Sequence, residues 1–234
     1  MPPLSSNKKL LLIGASRGLG FALAEEYLRR GWQVIATVRG TRHTALHDVA
    51  AQAQGRLEIA TVDIDDDAQV AALRHQLRDR RLELLFVNAG IAIDPDQSMR
   101  EVSTEAFVQM MVTNALSPMR VIESLQTLVP PNGTIAAMSS ELGSVSENLD
   151  GGWEVYRASK AALNMLMRSF AARHAGDPRS LLLMAPGWVR TDMGGPAAVL
   201  SIEESIPRVV DTVNAQAGVA GLQYLDYQGR IVPW

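Results

Sequence analysis

Short, mainly apolar runs alternate with longer segments of helical periodicity along this sequence. Glycine, aspartate or proline bounds each run, as expected of buried strands. The six clearest runs lie at residues 10–13, 33–38, 57–62, 84–87, 134–138 and 181–185. Because apolar residues in these runs are continuous rather than alternating with polar ones, both faces of each strand must be covered. The pattern therefore predicts a parallel sheet between two layers of helices.

Between the runs, apolar residues recur every three or four positions, which indicates amphipathic helices. Such segments lie at residues 19–30, 68–80, 104–128 and 156–174, and a helix near 203–217 precedes a last strand near 223–227. No linker, repeat or low-complexity tract interrupts the sequence. We therefore predict an α/β, single-domain Rossmann fold over residues 1–234, with a doubly wound parallel sheet of about seven strands and helices on both faces.

The composition limits the chemistry available to the chain. It has 234 residues, a formal net charge of -3 and no cysteine. The weak negative charge argues against nucleic acid or an anionic membrane as a main partner, and the lack of cysteine excludes disulfides and thiolate chemistry. Residues 1–9 lack the apolar core of a signal peptide, and no apolar run approaches the length of about 18 residues that a membrane span needs. We expect a cytoplasmic protein without a metal site.

A glycine-rich turn follows the first predicted strand and opens the first predicted helix. Its glycines are Gly14, Gly18 and Gly20. Glycines at such a turn let the backbone approach a pyrophosphate, which binds the free N–H groups of the helix N-terminus. The spacing therefore favours a dinucleotide site, although a tight strand-to-helix turn without any ligand would use glycines too.

The end of the second strand indicates which dinucleotide would bind. An NAD site places a carboxylate there for the ribose 2′-hydroxyl, whereas the 2′-phosphate of NADP requires positive charge. Here the strand ends in Thr37, Val38 and Arg39, without a carboxylate, and Arg17 lies in the glycine turn. Either arginine could be an ordinary solvated side chain, but the missing carboxylate favours NADP(H).

The spacing of Tyr156 and Lys160 is the sharpest chemical signal in the sequence. Residues four apart share one helix face, so the ammonium can lie beside the phenol. A free tyrosine has a pKa of about 10, and we expect the neighbouring charge to lower the pKa of Tyr156 towards the range useful in acid–base catalysis. The same spacing is common on amphipathic helices, so its surroundings decide its weight.

Several polar or turn-forming segments follow predicted strands, at the edge where a doubly wound sheet binds ligands. Ser139 and Ser140 follow the strand at 134–138, and a serine hydroxyl there can hold a substrate oxygen and stabilise its developing charge. Residues 88–90 and 186–191 follow two further strands. Each segment alone could be an ordinary turn, but all of them lie at one sheet edge.

Asn114 lies in the middle of the predicted helix 104–128. Asparagine is unfavourable inside a helix unless its side chain has a role, because it competes for the hydrogen bonds of the backbone. Taken alone, it could equally be an ordinary polar helix residue.

Together these motifs resemble those of the short-chain dehydrogenase/reductase family, whose first turn has the spacing of Gly14, Gly18 and Gly20. The resemblance extends from the glycine turn to the last predicted strand. In that family an asparagine holds a water that links the lysine to solvent, and the reactive serine is usually the second of a pair, which favours Ser140 over Ser139. The catalytic set that the resemblance implies is Asn114, Ser140, Tyr156 and Lys160.

The resemblance also implies how the dinucleotide is bound. Asp63 would contact the adenine ring, although it could equally cap a helix. The Val189 backbone and the Thr191 hydroxyl would hold the carboxamide and phosphates. The predicted NADP(H)-binding set is Gly14, Ser16, Arg17, Gly18, Leu19, Gly20, Arg39, Asp63, Ile64, Asn88, Ala89, Gly90, Tyr156, Lys160, Pro186, Gly187, Val189 and Thr191.

Two short strings narrow the resemblance within the family. Residues 193–195 and 226–234 are similar to those of small C-factor and sniffer-type carbonyl reductases. The resemblance implies reduction of an aldehyde or ketone to an alcohol, with Tyr156 as general acid/base. An alternative is a dinucleotide-binding signalling or regulatory protein of C-factor type with incidental turnover. Enoyl or imine reduction is less favoured, because a serine–tyrosine pair suits a carbonyl oxygen.

The substrate itself is not indicated by the motifs. The specificity segments should be residues 194–207 and 143–153, and they suggest a partly apolar pocket, although their apolar residues could equally pack under a loop. The partner is expected to be a small carbonyl or alcohol. The resemblance also implies a homo-oligomer, a dimer or tetramer, with helices 104–128 and 156–174 at the interface.

Two positions depart from the family pattern. Ile13 stands where the family usually has threonine, and Val87 where it usually has the first of two asparagines. In the family these positions lie close together on neighbouring strands. We hypothesise that an apolar pair has replaced a polar pair, which avoids leaving either partner buried without a hydrogen bond.

Overall fold

The computed structural model describes residues 8–93 and 97–234. Most of the polar segment at residues 1–9, on which we based the lack of a signal peptide, lies outside these ranges. The strands are β1 (Lys9–Ile13), β2 (Gln33–Val38), β3 (Leu57–Thr61), β4 (Leu84–Val87), β5 (Thr134–Met138), β6 (Ser180–Ala185) and β7 (Gly221–Asp226). The α-helices are α1 (Gly18–Arg29), α2 (Ala45–Gln52), α3 (Asp67–Gln76), α4 (Thr104–Met111), α5 (Ser117–Leu125), α6 (Glu154–Arg173) and α7 (Ile202–Ala215).

The seven strands form one parallel sheet in the order β3-β2-β1-β4-β5-β6-β7. The chain runs outward from β1 in one direction, then returns to add β4 on its other side. This is the doubly wound Rossmann topology predicted from the sequence, and ligands of such sheets bind beyond the carboxyl ends of the strands where the order reverses. In this protein that point lies between β1 and β4.

Buried side chains cover both faces of the sheet. In β1, Leu11 and Ile13 belong to one apolar cluster, whereas Leu10 and Leu12 belong to the cluster on the opposite face. Successive strand residues point to opposite faces, so burial of both faces makes the whole run apolar. The continuous apolar pattern in the sequence is explained in this way. Within the described ranges, no helix has both the length and the hydropathy needed to cross a bilayer.

The prediction of one continuous helix over residues 104–128 is wrong. It is divided into α4, a π-helical segment (Val112–Leu116), α5 and a 3₁₀ turn (Gln126–Leu128). In the π segment the N–H of Ser117 bonds the carbonyl of Val112, five residues back. Pro118 has no N–H to donate to the carbonyl of Asn114, four residues earlier, so regular α-helical bonding cannot continue through this position.

Helix α2 is short and was not predicted; of its eight residues only Leu46 is fully buried, while Val49 and Ala50 pack against the same apolar cluster and stay partly exposed. Its start is fixed locally. Thr44 and His47 form a capping box, in which each side chain interacts with the backbone of the other residue. Such a box is recognised less easily in sequence when histidine replaces the usual glutamate or glutamine.

The two residues that depart from the family pattern are direct neighbours. Ile13 of β1 pairs with Val87 of β4, and their exposed fractions are 0% and 2%. The site of the usual polar pair is therefore a dry contact between two branched apolar side chains, in agreement with the hypothesis from the sequence.

Candidate active site

A cleft of about 270 Å³ opens at the carboxyl edge of the sheet, across the point between β1 and β4 where the strand order reverses. The predicted site residues that line it are Gly14, Ser16, Arg17, Gly18, Leu19, Arg39, Asp63, Ile64, Asn88, Ala89, Gly90, Tyr156, Lys160, Pro186 and Thr191. The remaining predicted residues, which are not on its wall, are Gly20, Asn114, Ser140, Gly187 and Val189. The structure thus brings most of the predicted set to one cleft. Lining residues outside that set are Thr37, Val62, Ile91, Thr113, Met138, Ser139, Asp192 and Met193.

The glycine turn is packed too closely for side chains. Gly14 has a φ of 86°, and a Cβ there would lie 2.7 Å from the Cα of Ala89. A Cβ on Gly20 would lie 2.0 Å from the carbonyl oxygen of Gly14. The amide of Asn88 donates to that same oxygen at 2.7 Å. The turn after β1 and the loop after β4 therefore hold each other in place, and glycine is required where they meet.

Thr37 supports the glycine turn from β2. Its hydroxyl accepts the N–H of Gly14 at 2.9 Å, and its carbonyl accepts the N–H of Ala15 at 2.8 Å. Thr37 is almost fully buried. From the sequence, Thr37 was interpreted only as part of a strand end that lacks a carboxylate. The sequence signal for a polar role is a threonine near the end of a strand that is otherwise mainly apolar.

The N-terminus of α1 is free to bind an anion. No side chain caps it, and its first turn has no acidic residue. By contrast, Asp66 caps α3 and Ser201 caps α7 through side-chain oxygens. Free N–H groups and the positive end of the helix dipole thus meet the part of the cleft lined by residues 16–19, an arrangement that suits phosphate. The residues present therefore fit a dinucleotide.

The two arginines proposed for the 2′-phosphate have different surroundings. Arg17 forms an ion pair of 2.7 Å with Asp192, and the exposed fractions of the two side chains are 78% and 80%. Arg39 is exposed at the end of β2 and forms no ion pair with any residue that the structure describes. Arg39 is therefore the better placed of the two for an incoming anion.

Asp63 does not cap a helix. The cap of α3 is Asp66, whose carboxylate accepts the N–H groups of Ala68 and Gln69. Within residues 8–93 and 97–234 the Asp63 carboxylate accepts only the N–H of Asp65, in the turn after β3, and Asp63 lines the cleft. The structure thus leaves part of this carboxylate available to a ligand.

Tyr156 and Lys160 lie one turn apart near the start of α6, as predicted. The Nζ of Lys160 is 5.7 Å from the centre of the Tyr156 ring and donates to the carbonyl of Met138 at 2.9 Å. Lys160 is 3% exposed, and burial lowers the pKa of its ammonium to about 8. A buried amine with few acceptors loses its proton more readily because the charged form is poorly solvated.

The pKa of Tyr156 differs from the expectation. Burial raises it to about 12, and a hydrogen bond with the Ser140 hydroxyl offsets only part of this rise. The expected lowering by Lys160 is not found, and the ammonium of Lys160 donates to the carbonyl of Met138. At neutral pH Tyr156 is therefore a protonated phenol, which is the form that can donate a proton.

The two serines after β5 have different environments. The Ser139 hydroxyl is buried and donates to the Asn164 side chain at 2.6 Å. The Ser140 hydroxyl accepts the N–H of Leu142 at 3.2 Å, and its interaction with the Tyr156 phenol lowers the pKa of that phenol. Ser139 is thus occupied by an internal partner, whereas Ser140 adjoins the phenol.

Asn114 lies in the π segment and is fully buried. Its side chain accepts the N–H of Ile91 and donates to the carbonyl of the same residue, both at 2.8 Å. A Cβ on Gly90 would lie 3.2 Å from Asn114 Oδ1 and 3.5 Å from Lys160 Nζ. Asn114 therefore fixes the loop after β4 beside the lysine.

The loop after β6 forms the opposite margin of the cleft. Ser205 of α7 donates to the carbonyl of Pro186 at 2.7 Å, and the Thr191 hydroxyl accepts the N–H of Gly194 at 3.1 Å. The indole of Trp188 donates to the carbonyl of Gly194 at 2.8 Å. Met193, an apolar residue that directly precedes the predicted specificity segment 194–207, lines the cleft.

Comparison with known proteins agrees with this geometry. A Burkholderia multivorans protein with bound NADP is 55% identical, with a TM-score of 0.96 and coverage of 98% of this chain and 100% of that one. A carbonyl reductase from Pseudomonas aeruginosa in complex with NADP is 40% identical, with a TM-score of 0.91 and coverage of 98% and 100%.

Two further matches concern the sequence. C-signal of Myxococcus xanthus is 35% identical over 158 residues, which cover 65% of this chain and 93% of that protein. The family model described as short chain dehydrogenase matches residues 8–198. The resemblance predicted from the motifs is thereby confirmed, and the chain belongs to the short-chain dehydrogenase family.

Proposed function

We propose that this protein is an NADP(H)-dependent oxidoreductase that reduces the carbonyl group of an aldehyde or ketone to an alcohol. The observation that carries the proposal is the position of Tyr156, a protonated phenol beside the Ser140 hydroxyl, in the cleft that also contains the glycine turn. A proton donor and a hydroxyl for the substrate oxygen thus adjoin a site that suits a dinucleotide.

NADP(H) is the cofactor that the charges favour. Arg39 is exposed without an ion-pair partner among the described residues, and no carboxylate stands at the end of β2. The NADP-bound structures of the B. multivorans and P. aeruginosa proteins support the same choice. When bound, NADPH would supply hydride to the carbonyl carbon.

The protein's own residues would hold the substrate and provide the proton. The Ser140 hydroxyl and the Tyr156 phenol would both bond the carbonyl oxygen, and Tyr156 would donate its proton as negative charge develops there. Lys160 would keep positive charge near this oxygen below a pH of about 8, the pKa to which burial lowers its ammonium. Asn114, by fixing the loop beside Lys160, would maintain the path through which a water returns the proton.

Other features of the proposal rest on the composition, on the strand–helix pattern and, for the oligomer, on the family resemblance. One NADP(H)-binding domain over residues 1–234 and a cytoplasmic location remain predictions. A dimer or tetramer is also proposed. Exposed apolar side chains on α6 and the π segment support it, with Met165 at 63%, Leu116 at 40% and Leu166 at 39% exposed. The size of the particle in solution, measured by light scattering, tests this point.

A panel of aldehydes and ketones tests the function directly. The loss of NADPH absorbance is followed for each compound and repeated with NADH. The proposal predicts turnover of at least one carbonyl and a preference for NADPH. NADPH binding without turnover of any carbonyl would contradict it and favour the second candidate, a signalling or regulatory protein, which the similarity to C-signal supports.

The cofactor assignment has its own test in two arginine variants. Arg39→Ala should weaken NADPH binding by about tenfold and leave NADH binding unchanged, because one charged hydrogen bond to phosphate is lost. Arg17→Ala is the matched comparison, and its effect should be smaller because Asp192 already neutralises that arginine. Fluorescence titration gives both dissociation constants. An equal loss for NADPH and NADH in Arg39→Ala would contradict the assignment.

A further inference from the structure

Tyr224 of β7 reaches across the sheet edge to the backbone of Ser140. It is 2% exposed, and its hydroxyl donates to the carbonyl oxygen of Ser140, 84 residues earlier in the chain. The same carbonyl oxygen accepts the N–H of Gly143 at 2.9 Å. The carbonyl of Ser140 thus accepts two hydrogen bonds, and the hydroxyl of the same residue lowers the pKa of Tyr156.

A buried polar cluster surrounds this contact. The Ser139 hydroxyl donates to Asn164 Oδ1 at 2.6 Å, and Asn164 Nδ2 donates to the carbonyl of Gly143 at 3.2 Å. A Cβ on Gly143 would lie 2.9 Å from Asn164 Nδ2, so the loop after β5 rests directly on α6. These groups form one continuous support beneath Ser140.

Burial alone does not explain why the Tyr224 hydroxyl has a hydrogen-bond partner. Tyr27 is equally buried on the other face of the sheet, and its hydroxyl has no hydrogen-bond partner among the residues that the structure describes. A buried tyrosine in this protein can therefore serve as an apolar filler without using its oxygen. Tyr224 differs because its oxygen bonds a residue of the active site. Burial raises the pKa of Tyr224 to about 12, so its phenol remains a donor at neutral pH.

We propose that Tyr224 is a positioning residue, which by holding the carbonyl of Ser140 directs the Ser140 hydroxyl at Tyr156 and the substrate oxygen. The inference rests on the proposed carbonyl reduction, since the direction of that hydroxyl affects a rate only if the hydroxyl bonds the substrate. A displacement of a reacting group by a fraction of an ångström is enough to slow such a reaction markedly.

The test compares Tyr224→Phe with Tyr27→Phe, two variants that each lose one buried phenol oxygen. Tyr224→Phe should lower kcat by at least about tenfold, with an unchanged dissociation constant for NADPH. Tyr27→Phe should leave kcat within about twofold of the wild type, because that oxygen bonds nothing. A kcat of Tyr224→Phe within twofold of the wild type would overturn the proposal.

A double variant separates positioning from general damage. In a Ser140→Ala background, Tyr224→Phe should produce no further loss of kcat, because the hydroxyl that it directs is gone. A loss of the same size in both backgrounds would show that Tyr224 acts through the fold and would overturn the proposal. If Tyr224→Phe does not fold, Ser139→Ala removes a neighbouring part of the support, and its loss of kcat should also vanish in the Ser140→Ala background.

A measurement without turnover distinguishes failure of this inference from failure of the proposed function. The N–H of Leu142 bonds the Ser140 hydroxyl, and the N–H of Gly143 bonds its carbonyl. Hydrogen exchange at these two amides should accelerate in Tyr224→Phe and stay unchanged in Tyr27→Phe. Unchanged exchange in Tyr224→Phe would refute the positioning role even if the wild type reduces no carbonyl.

Discussion

The two walls of the cleft are built by different means. The glycine wall, formed by the turn at residues 14–20 with Thr37 and Asn88, is shaped by backbone atoms that touch where side chains are absent. The tyrosine wall, formed by Tyr156, Lys160 and Ser139 and adjoined by Ser140, is held by buried side chains. Its supporting hydrogen bonds join residues 22, 25 and 84 positions apart in sequence.

The two walls also differ in how they affect the free energy of folding. The glycine wall gains its shape from close packing, so any added atom is costly there. The tyrosine wall instead buries an ammonium and several hydroxyls, which cost free energy unless each finds a partner. Lys160 has one carbonyl partner, that of Met138. We therefore expect substitutions in the glycine wall to destabilise the fold, and removal of the buried charge in the tyrosine wall to stabilise it.

The largest effect on stability is expected for Gly20→Ala in the glycine wall. The new Cβ would lie 2.0 Å from the carbonyl oxygen of Gly14, so the turn has to move away from the loop after β4. The free energy of unfolding should fall by at least about 3 kcal/mol, measured by urea denaturation.

Gly40→Ala provides the control for that substitution. Gly40 has a φ of 79° but no atom within 4 Å of a built Cβ, so it isolates backbone strain from overlap. The free energy of unfolding of Gly40→Ala should fall by about 1 kcal/mol. Equal losses in the two variants would show that close contact does not define the glycine wall.

An opposite and smaller effect is expected for Lys160→Met in the tyrosine wall. Without bound dinucleotide, the variant should be more stable than the wild type by about 1–3 kcal/mol at pH 7, because a buried ammonium is removed. The pKa of Lys160 in the folded protein is about 8, below the ordinary value of 10.5. Between these values the unfolded chain binds more protons, so wild-type stability rises with pH there.

The advantage of Lys160→Met should accordingly be complete below pH 8 and disappear as the pH approaches 10.5. Denaturation curves across this range measure it. Lys9→Met, at the partly exposed start of β1, should change stability by less than about 0.5 kcal/mol at every pH. A destabilised Lys160→Met at pH 7 would mean that the tyrosine wall carries no cost of buried charge.

The smallest of these effects concerns the strands beneath the glycine wall. Ile13→Thr places a hydroxyl against Val87 in a fully buried position and should destabilise the protein by about 1–2 kcal/mol more than Ile13→Val. The valine variant has nearly the same shape without the oxygen, so the difference measures the hydroxyl alone. A gain in stability from Ile13→Thr would refute the hypothesis of an apolar pair.

The sheet and the glycines of the turn were predictable from sequence because their determinants are local, whereas the contacts of Thr37 and Asn88 with that turn join residues 23 and 74 positions apart. Strand runs buried on both faces are continuous in sequence, and the three glycines of the turn lie within seven residues. Helix α2 has only eight residues and begins at a capping box with histidine in place of glutamate, and the break at Asn114 is caused by Pro118, which leaves the apolar periodicity of the sequence unchanged.

The tyrosine wall was predictable only in part. Tyr156, Lys160 and Asn114 came from spacing and resemblance, but the groups that hold Ser140 did not. Tyr224 looks like an ordinary aromatic residue of an edge strand, and only the fold shows that its hydroxyl meets Ser140. The raised pKa of Tyr156 also depends on burial within the fold, which no spacing in the sequence records.

The proton donor is the central claim, and Tyr156→Phe tests it most directly. Turnover of a carbonyl substrate and NADPH binding are measured on the same preparation, with Tyr227→Phe as a control variant outside the cleft lining. For Tyr156→Phe, kcat should fall by about 10²–10⁴-fold with an unchanged dissociation constant for NADPH, because only proton transfer is removed. Wild-type turnover by Tyr156→Phe would contradict the account.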